Sequence, residues 1–156
     1  MTESSERANV LLVDDKPENL LALETVLADL GQNLVRANSA REALRFLLLE
    51  DVALILLDVQ MPGVNGFELA ELIRERPRTQ HTPIIFISAV STNEQYVFKG
   101  YSLGAVDYLT KPVVPEILKS KVSFFSRLFL QNQEIKRQAE LLEHTNERLD
   151  NLNVDL

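Results

Sequence analysis

Five polar side chains able to do chemistry stand at the ends of short apolar runs in this 156-residue chain. They are three carboxylates, one hydroxyl and one ammonium group, namely Asp14, Asp15, Asp58, Ser88 and Lys111. Taken alone, Asp58 is a metal ligand, a nucleophile or a cap for the helix that follows it. Ser88 alone is typical of a helix cap, and Lys111 alone is typical of a solvated strand end. Their common position after apolar runs is what indicates a site.

Carboxylates gathered at one edge of a sheet would repel one another. At about 5 Å and an effective dielectric of about 20, each pair costs roughly 3 kcal/mol. Lys111 would offset part of this cost, and a hard divalent cation would offset more. Oxygen ligands with open water positions suit Mg²⁺, with Mn²⁺ as a substitute. Because such an ion also neutralises charge on a transferring phosphoryl group, the residues predict that Asp58 is a nucleophile that forms an acyl phosphate.

The elements that position these side chains are predicted to be strands alternating with helices. The run before Asp58 is continuously apolar and is followed by turn residues, which is typical of a strand buried on both faces. The predicted strands are Ala8–Val13, Gln32–Ala37, Val52–Leu57, Pro83–Ser88 and Ala105–Thr110. The intervening helices are predicted to begin near Pro17, Ala40, Gly66, Thr92 and Val114. This alternation predicts an α/β fold with a doubly wound, parallel five-stranded sheet, whose carboxyl edge forms the ligand crevice.

Local signals mark several helix ends. Ser39 and Glu42 have the spacing of a capping box at the start of the second helix. Gly31 and Gly104 are predicted to end the first and fourth helices. Pro115 suits the first turn of the last helix because its missing N–H needs no partner there.

The last predicted helix continues beyond the length that a compact domain needs. Apolar residues repeat every seven positions at Leu128, Ile135, Leu142, Leu149 and Leu156. The positions three residues earlier are Phe125, Asn132, Ala139, Asn146 and Asn153. Polar residues at such positions favour a two-stranded coiled coil, and isolated helices of this length need partners. The alternatives are a surface helix with one apolar stripe, or a tail that frays when cut from its continuation.

The composition argues against several classes of function. The net charge of −7 speaks against nucleic-acid binding, which relies on Lys and Arg. The absence of cysteine excludes disulfides, cysteine-ligated zinc and thiol catalysis. Residues 1–7 do not form a signal peptide, and no apolar run is long enough to span a membrane. The expected compartment is the cytoplasm, with neither nucleic acid nor membrane as a partner.

The chain resembles the receiver domains of two-component response regulators, the CheY-like family, whose fold is flavodoxin-like. Four motifs in the family's order carry the resemblance: Asp14-Asp15, Asp58-x-x-Met61-Pro62-Gly63 with Asn65-Gly66, Ser88-Ala89, and the run Gly104–Pro112. The resemblance covers about residues 8–121. It implies a receiver domain over residues 8–122 and a helical extension over residues 123–156, which is expected to form a dimeric coiled coil or signalling helix.

The resemblance implies a role for each residue of the metal and phosphoryl site. Asp58 matches the phosphoacceptor, and Asp15 and Asp58 match the direct Mg²⁺ ligands. The backbone carbonyl of Gln60 matches a third ligand, and Asp14 matches the acid that holds the ion through water. Lys111 matches the ammonium group that pairs with the phosphoryl group.

The resemblance also implies a switch. Ser88 matches the hydroxyl that turns toward the phosphoryl group, and Tyr108 matches the aromatic residue that swings inward on activation. The face formed by the fourth helix, the fifth strand and the last helix would respond. The Lys111–Pro112 peptide bond is expected to be cis, as is usual in the family.

The implied partners are a histidine kinase or phosphotransfer protein as phosphodonor, a second copy of the chain bound through the last helix, and a fused or separate output domain. The chain is expected to be a piece of a longer protein, and to catalyse only its own phosphorylation and dephosphorylation. Two alternatives stay open. An aspartate-nucleophile phosphatase or phosphotransferase is one, although haloacid-dehalogenase-like phosphatases need an acid where this chain has Gln60. A degenerate receiver that serves only as a dimerisation adaptor is the other.

Overall fold

The computed structural model describes residues 6–89 and 94–154, which contain five strands and five α-helices. The strands are β1 (Asn9–Val13), β2 (Asn33–Ala37), β3 (Leu54–Asp58), β4 (Ile84–Ser88) and β5 (Asp107–Thr110). The helices are α1 (Pro17–Leu27), α2 (Ala40–Leu49), α3 (Gly66–Glu75), α4 (Glu94–Ser102) and α5 (Pro115–Val154), and a 3-10 turn at Ala28–Leu30 follows α1. All strands pair in parallel in the order β2-β1-β3-β4-β5, which confirms the predicted doubly wound sheet.

The sheet buries apolar side chains on both faces because successive residues of a strand point in opposite directions. In β3, Leu54 and Leu56 pack with residues of α1 and α5, whereas Ile55 and Leu57 pack with residues of α2 and α3. This two-sided packing explains why the strand before Asp58 is continuously apolar. It also explains why the strand can hold Asp58 firmly at its end.

Within residues 6–89 and 94–154, side-chain caps are seen at the starts of α2 and α3. The Ser39 hydroxyl accepts the Glu42 N–H at 3.1 Å, as predicted, but the Glu42 carboxylate accepts the Asn38 N–H at 2.8 Å instead of closing the box. A complete capping box begins α3, where the Asn65 side chain accepts the Glu68 N–H and the Glu68 carboxylate accepts the Asn65 N–H, both at 2.9 Å. The box fixes the start of α3 at the end of the loop that follows β3.

Helix α5 has 40 residues and is about 60 Å long. Its first turns pack against the sheet through Leu118 and Val122, which are buried. From residue 131 to residue 152 its side chains are exposed, apart from the half-buried Glu134. The last heptad position, Leu156, and the predicted start of the fourth helix, Thr92, lie outside the described residues. Among the described residues, no helix combines the length and the apolar content that crossing a bilayer requires.

Candidate functional site

The polar residues predicted at the strand ends lie together at the carboxyl edge of the sheet. Asp58 is the last residue of β3, Ser88 is the last residue of β4, and Asp14 directly follows β1. Lys111 directly follows β5, and its N–H donates to the Ser88 carbonyl at 2.8 Å. Because these four strands are neighbours in the sheet, their ends converge on one small area.

Three carboxylates form the centre of this area. Asp14, Asp15 and Asp58 each place one carboxylate oxygen within 4.8 Å of the others. Asp14 and Asp58 are only 2% and 7% exposed. The Lys111 Nζ lies 3.3 Å from Asp14 Oδ2 and 3.9 Å from Asp58 Oδ1. One ammonium group therefore faces two buried carboxylates, and the third adds further negative charge.

Asp15 and Asp14 differ in how their oxygens are satisfied. The Oδ1 atom of Asp15 is buried but has no hydrogen-bond partner among the described residues. Asp14 instead accepts the Lys16 N–H and the Asn19 amide, each at 3.0 Å, in addition to Lys111. A buried acceptor without a donor costs about 1–3 kcal/mol, and a hard cation would satisfy it. The three carboxylates and this unsatisfied oxygen therefore form an acidic pocket whose donor chemistry fits a hard cation such as Mg²⁺.

The environment of Asp58 disfavours its charged form. Burial raises the pKa of the Asp58 carboxyl from its ordinary 3.8 to about 6, and the charges of Asp14 and, to a smaller extent, Asp15 also raise it. Lys111 and a hydrogen bond from the Gln60 backbone act in the opposite direction on this pKa. A cation at the site would favour the ionised carboxylate that nucleophilic attack requires.

The raised pKa predicts how the stability of the metal-free protein changes with pH. An acid whose pKa rises on folding binds its proton more tightly when folded, so stability falls as the pH rises from about 4 through about 6. The full shift corresponds to about 3 kcal/mol. In EDTA, Asp58→Asn is expected to unfold at higher denaturant concentration than the wild type at about pH 7, and to lose this advantage near pH 4.

Urea unfolding followed by circular dichroism would measure this difference. Asp51→Asn is the control, because Asp51 is exposed and lies at the opposite edge of the sheet, before β3. Asp51 forms an exposed ion pair with Arg78 at 2.8 Å, so its replacement should leave the urea midpoint at about pH 7 unchanged or slightly lower, and should not raise it. The prediction would be contradicted if the free energies of unfolding of Asp58→Asn and the wild type differed by the same amount at both pH values.

Ser88 and Tyr108 lie on the neighbouring strands β4 and β5. Ser88 is buried, and Phe86, two residues earlier, points to the same side of β4. The half-buried Tyr108 ring packs on Phe86, with ring centroids 6.2 Å apart. The Tyr108 hydroxyl is buried and has no hydrogen-bond partner in the part of the chain that the structure describes. Its hydrogen-bonding capacity is therefore unmet in this conformation.

The contacts of two further residues were missed by the sequence analysis. Asn19, in the first turn of α1, donates to Asp14, as described above. Gly66 begins α3, and a Cβ atom there would lie 2.3 Å from the Asp58 carbonyl oxygen and 2.8 Å from the Val59 Cα. The available signal was glycine itself, a poor helix former, at the first position of a helix. No sequence signal identifies Asn19.

An apolar cavity of about 210 Å³ adjoins the site between α1 and α5. Its walls include Leu23, Val26 and Leu118, and Asp14 and Asp58 contribute to its lining. The two carboxylates therefore border a region of low polarity on this side. Such a border favours the neutral form of a carboxyl, in agreement with the raised pKa of Asp58.

The Lys111–Pro112 peptide bond is cis, as the resemblance implied. A family model described as "Response regulator receiver domain" matches residues 10–123. A probable cyclic di-GMP phosphodiesterase of Vibrio cholerae is 36% identical over 148 residues, which are 95% of this chain and 32% of that protein. The sensor histidine kinase GacS of Pseudomonas protegens is 36% identical over 143 residues, 89% of this chain and 15% of that protein. The chain thus spans a third or less of the length of these relatives.

Solved structures agree with this match. The chemotaxis protein CheY4 of Vibrio cholerae superposes with a TM-score of 0.70 and 30% identity, covering 77% of this chain and 99% of that chain. A putative response regulator from Chloroflexus aurantiacus superposes with a TM-score of 0.72 and 32% identity, covering 77% and 98%. The similarity therefore includes nearly the whole of each solved chain.

Proposed function

Because this chain belongs to the response regulator receiver domain family, we propose that Asp58 is the residue that accepts the phosphoryl group. Receivers of this family serve two-component signalling and accept phosphoryl groups from histidine kinases. The observation that carries the proposal is the cluster of Asp14, Asp15 and Asp58 within 4.8 Å, with Lys111 beside it. The donor would be a histidine kinase or a phosphotransfer protein.

Each residue of the site would have a separate role. Asp15 and Asp58 would hold Mg²⁺ together with the backbone carbonyl of Gln60, and Asp14 would hold it through water. When bound, the ion neutralises charge on the phosphoryl group during transfer. The orphaned Asp15 oxygen supports its role as a direct ligand, since it lacks a partner among the described residues.

The transfer step forms one bond and breaks one bond. A carboxylate oxygen of Asp58 attacks the phosphorus atom of a phosphohistidine, the P–N bond breaks, and the imidazole leaves with the bonding electrons and takes a proton from solvent. Lys111, 3.9 Å from Asp58, would pair with the phosphoryl oxygens that arrive there. The Ser88 hydroxyl would donate to another of these oxygens.

Incubation with phosphoramidate and Mg²⁺ tests this proposal. We expect one phosphoryl group per chain by intact mass spectrometry, located at Asp58 after borohydride trapping and digestion, and none in EDTA. Fast multiple turnover of a phosphate ester would favour an aspartate-nucleophile phosphatase instead. A folded chain that takes up no phosphoryl group would favour the dimerisation adaptor.

Phosphorylation of Asp58 would change the conformation of the face formed by α4, β5 and α5. Asp107 on β5 joins the three elements, because it accepts the Tyr101 hydroxyl of α4 at 3.3 Å and forms an ion pair with Lys121 of α5. Inward movement of Ser88 would open space for Tyr108 and so change this face. Because α5 continues from the face into the tail, its movement would change the tail as well.

We further propose that the tail of α5 pairs with the same tail of a second copy. Its apolar seam, Leu128, Ile135, Leu142 and Leu149, repeats every seven residues and is exposed in the single chain. Leu142, for example, is 62% exposed. A helix of this length gains stability when such a seam is buried, and the polar residues beside it favour two strands.

Leu142→Glu is expected to convert the dimer into monomers, because each dimer would place two carboxylates in an apolar seam. Sedimentation velocity across a dilution series would measure the change. His144→Glu is the matched control: it adds the same side chain two residues later, on the opposite side of the helix, and should leave the dimer intact. A monomeric wild type, or a dimeric Leu142→Glu variant, would contradict the pairing.

The proposed organisation is a receiver over residues 8–122 and a signalling helix over residues 123–156. The tail would act on an output domain that is fused or separate, in the cytoplasm, with no nucleic-acid partner. Its angle or register within the dimer would carry the signal.

A further inference from the structure

The first turn of α1 supplies donors to the buried carboxylate of Asp14. Asp14 Oδ1 accepts the Lys16 N–H at 3.0 Å. Asp14 Oδ2 accepts two side chains, the Asn19 amide at 3.0 Å and the Lys111 ammonium group at 3.3 Å. A single oxygen atom is therefore shared by a fixed amide on a helix and a long, flexible lysine.

Lys111 is divided between two carboxylates. Its Nζ atom is closer to Asp14, at 3.3 Å, than to Asp58, at 3.9 Å. In the proposed reaction it must move toward the phosphoryl group on Asp58, which weakens its bond to Asp14. Asp14 is 2% exposed, so bulk water cannot readily replace the lost donor, and the ion-bound water proposed above would serve the carboxylate whether or not Lys111 contacts it. A buried acceptor left without a donor destabilises the protein, and the destabilisation is larger when the acceptor is charged.

We propose that Asn19 is a positioning residue that keeps the Asp14 carboxylate hydrogen-bonded and in its orientation while Lys111 turns to the phosphoryl group. The Asn19 amide keeps one hydrogen bond on Oδ2 and holds the carboxylate in its orientation. The movement of Lys111 then leaves Asp14 satisfied and does not leave an unpaired buried charge. This inference rests on the proposed function, since it requires that phosphorylation of Asp58 draws Lys111 away from Asp14.

The rate of phosphorylation by phosphoramidate with saturating Mg²⁺ tests this role. Asn19→Ala is expected to be about tenfold slower than the wild type, the effect of losing one hydrogen bond to a charged group. Asn19→Asp keeps the size of the side chain but replaces the donor by a second acceptor that also attracts Lys111, so it should be slower still. A merely space-filling role would give the opposite order, with Asn19→Asp the milder change.

A double-mutant cycle with Lys111→Ala separates this role from a general structural one. Because Asn19 acts by compensating for the departure of Lys111, Asn19→Ala should cause little further loss when Lys111 is already absent. The affinity for beryllofluoride, measured by calorimetry, should fall in the same order as the rates. The affinity of Asn19→Ala for Mg²⁺ alone should differ from that of the wild type by less than about threefold, because Asn19 contacts no proposed direct ligand.

Asn38→Ala is the matched control, since Asn38 is exposed and lies in the loop after β2. Asn19→Leu, which also lacks a donor, replaces Asn19→Ala if that variant does not fold. If the wild type takes up no phosphoryl group, the proposed function and this inference both fall. If the wild type is phosphorylated, the inference alone is overturned by a rate for Asn19→Ala within about twofold of it, or by an equal loss in the Lys111→Ala background.

Discussion

Asp58→Asn is expected to reduce phosphoryl uptake from phosphoramidate by about 1,000-fold or more, the scale seen when a nucleophile is removed. The side-chain amide carries no negative charge and is a poor nucleophile toward phosphorus. It also removes one charged oxygen from the cluster of three carboxylates, which weakens Mg²⁺ binding. The initial rate, measured by intact mass spectrometry, checks the prediction.

Two comparisons make this result specific. Asp51→Asn changes an exposed aspartate outside the site and should be phosphorylated at the wild-type rate. The stability of Asp58→Asn should equal or exceed that of the metal-free wild type near neutral pH, because burial raises the pKa of Asp58 to about 6. Loss of uptake therefore cannot be attributed to unfolding. Wild-type uptake by Asp58→Asn, or transfer to Asp14 or Asp15 in the wild type, would refute the assignment.

Gly66→Ala is expected to destabilise the protein by about 3 kcal/mol or more. The added Cβ atom would lie 2.3 Å from the Asp58 carbonyl oxygen and 2.8 Å from the Val59 Cα, both of them backbone atoms. Neither can move without disturbing the end of β3 or the start of α3. The Gly66 N–H also donates to the Val59 carbonyl at 2.8 Å, and that bond would be strained. Urea unfolding of the variant measures the loss.

Gly63→Ala is the matched control in the same loop. Gly63 has a φ of +77° and no atom within 4 Å of an added Cβ, so its replacement should cost only about 1 kcal/mol of backbone strain. Because Gly66 contacts the backbone of Asp58, Gly66→Ala should also slow phosphorylation, even at temperatures where the variant is folded. Equal stabilities for the two variants would show that the loop adjusts, and would contradict the close-contact argument.

Together these two changes separate the chemistry of the site from its support. Asp58→Asn removes the reacting atom while leaving the fold intact. Gly66→Ala removes no charged group but should displace the backbone that carries Asp58. If both slow phosphorylation, the position of Asp58 contributes to the rate as well as its charge.

The polar residues at the strand ends show how much of the site can be predicted from the local sequence. Asp58 and Ser88 stand out in the sequence because apolar runs end at them, and such runs predict buried strands. Parallel strands have their carboxyl ends at one edge of the sheet, so the pattern also predicts that Lys111 and the acidic pair lie in the same area. Pattern and topology were therefore enough to predict the sheet and the cluster of carboxylates.

Pattern and topology do not predict which hydrogen-bond donors reach each carboxylate of the cluster. Asn19 has no unusual spacing, and its amide reaches Asp14 only because of how the first turn of α1 is placed over β1. The capping box of α3 likewise formed at Asn65 and Glu68, whereas the predicted box at Ser39 is only half formed. Side-chain partners depend on distances of a few tenths of an ångström, which a linear pattern does not contain.

The sequence by itself determined the order of strands and helices along the chain and the edge of the sheet at which the acidic groups gather. It also determined the continuation of α5 into a heptad tail. Each of these features depends on hydrophobic periodicity. The tertiary structure alone decided that Asp14 is satisfied while Asp15 keeps a buried oxygen without a partner among the described residues, and that Gly66 must lack a side chain. The physical reason is that periodicity selects the face a residue occupies, whereas hydrogen bonds and steric contacts depend on the final packing of segments distant in the chain.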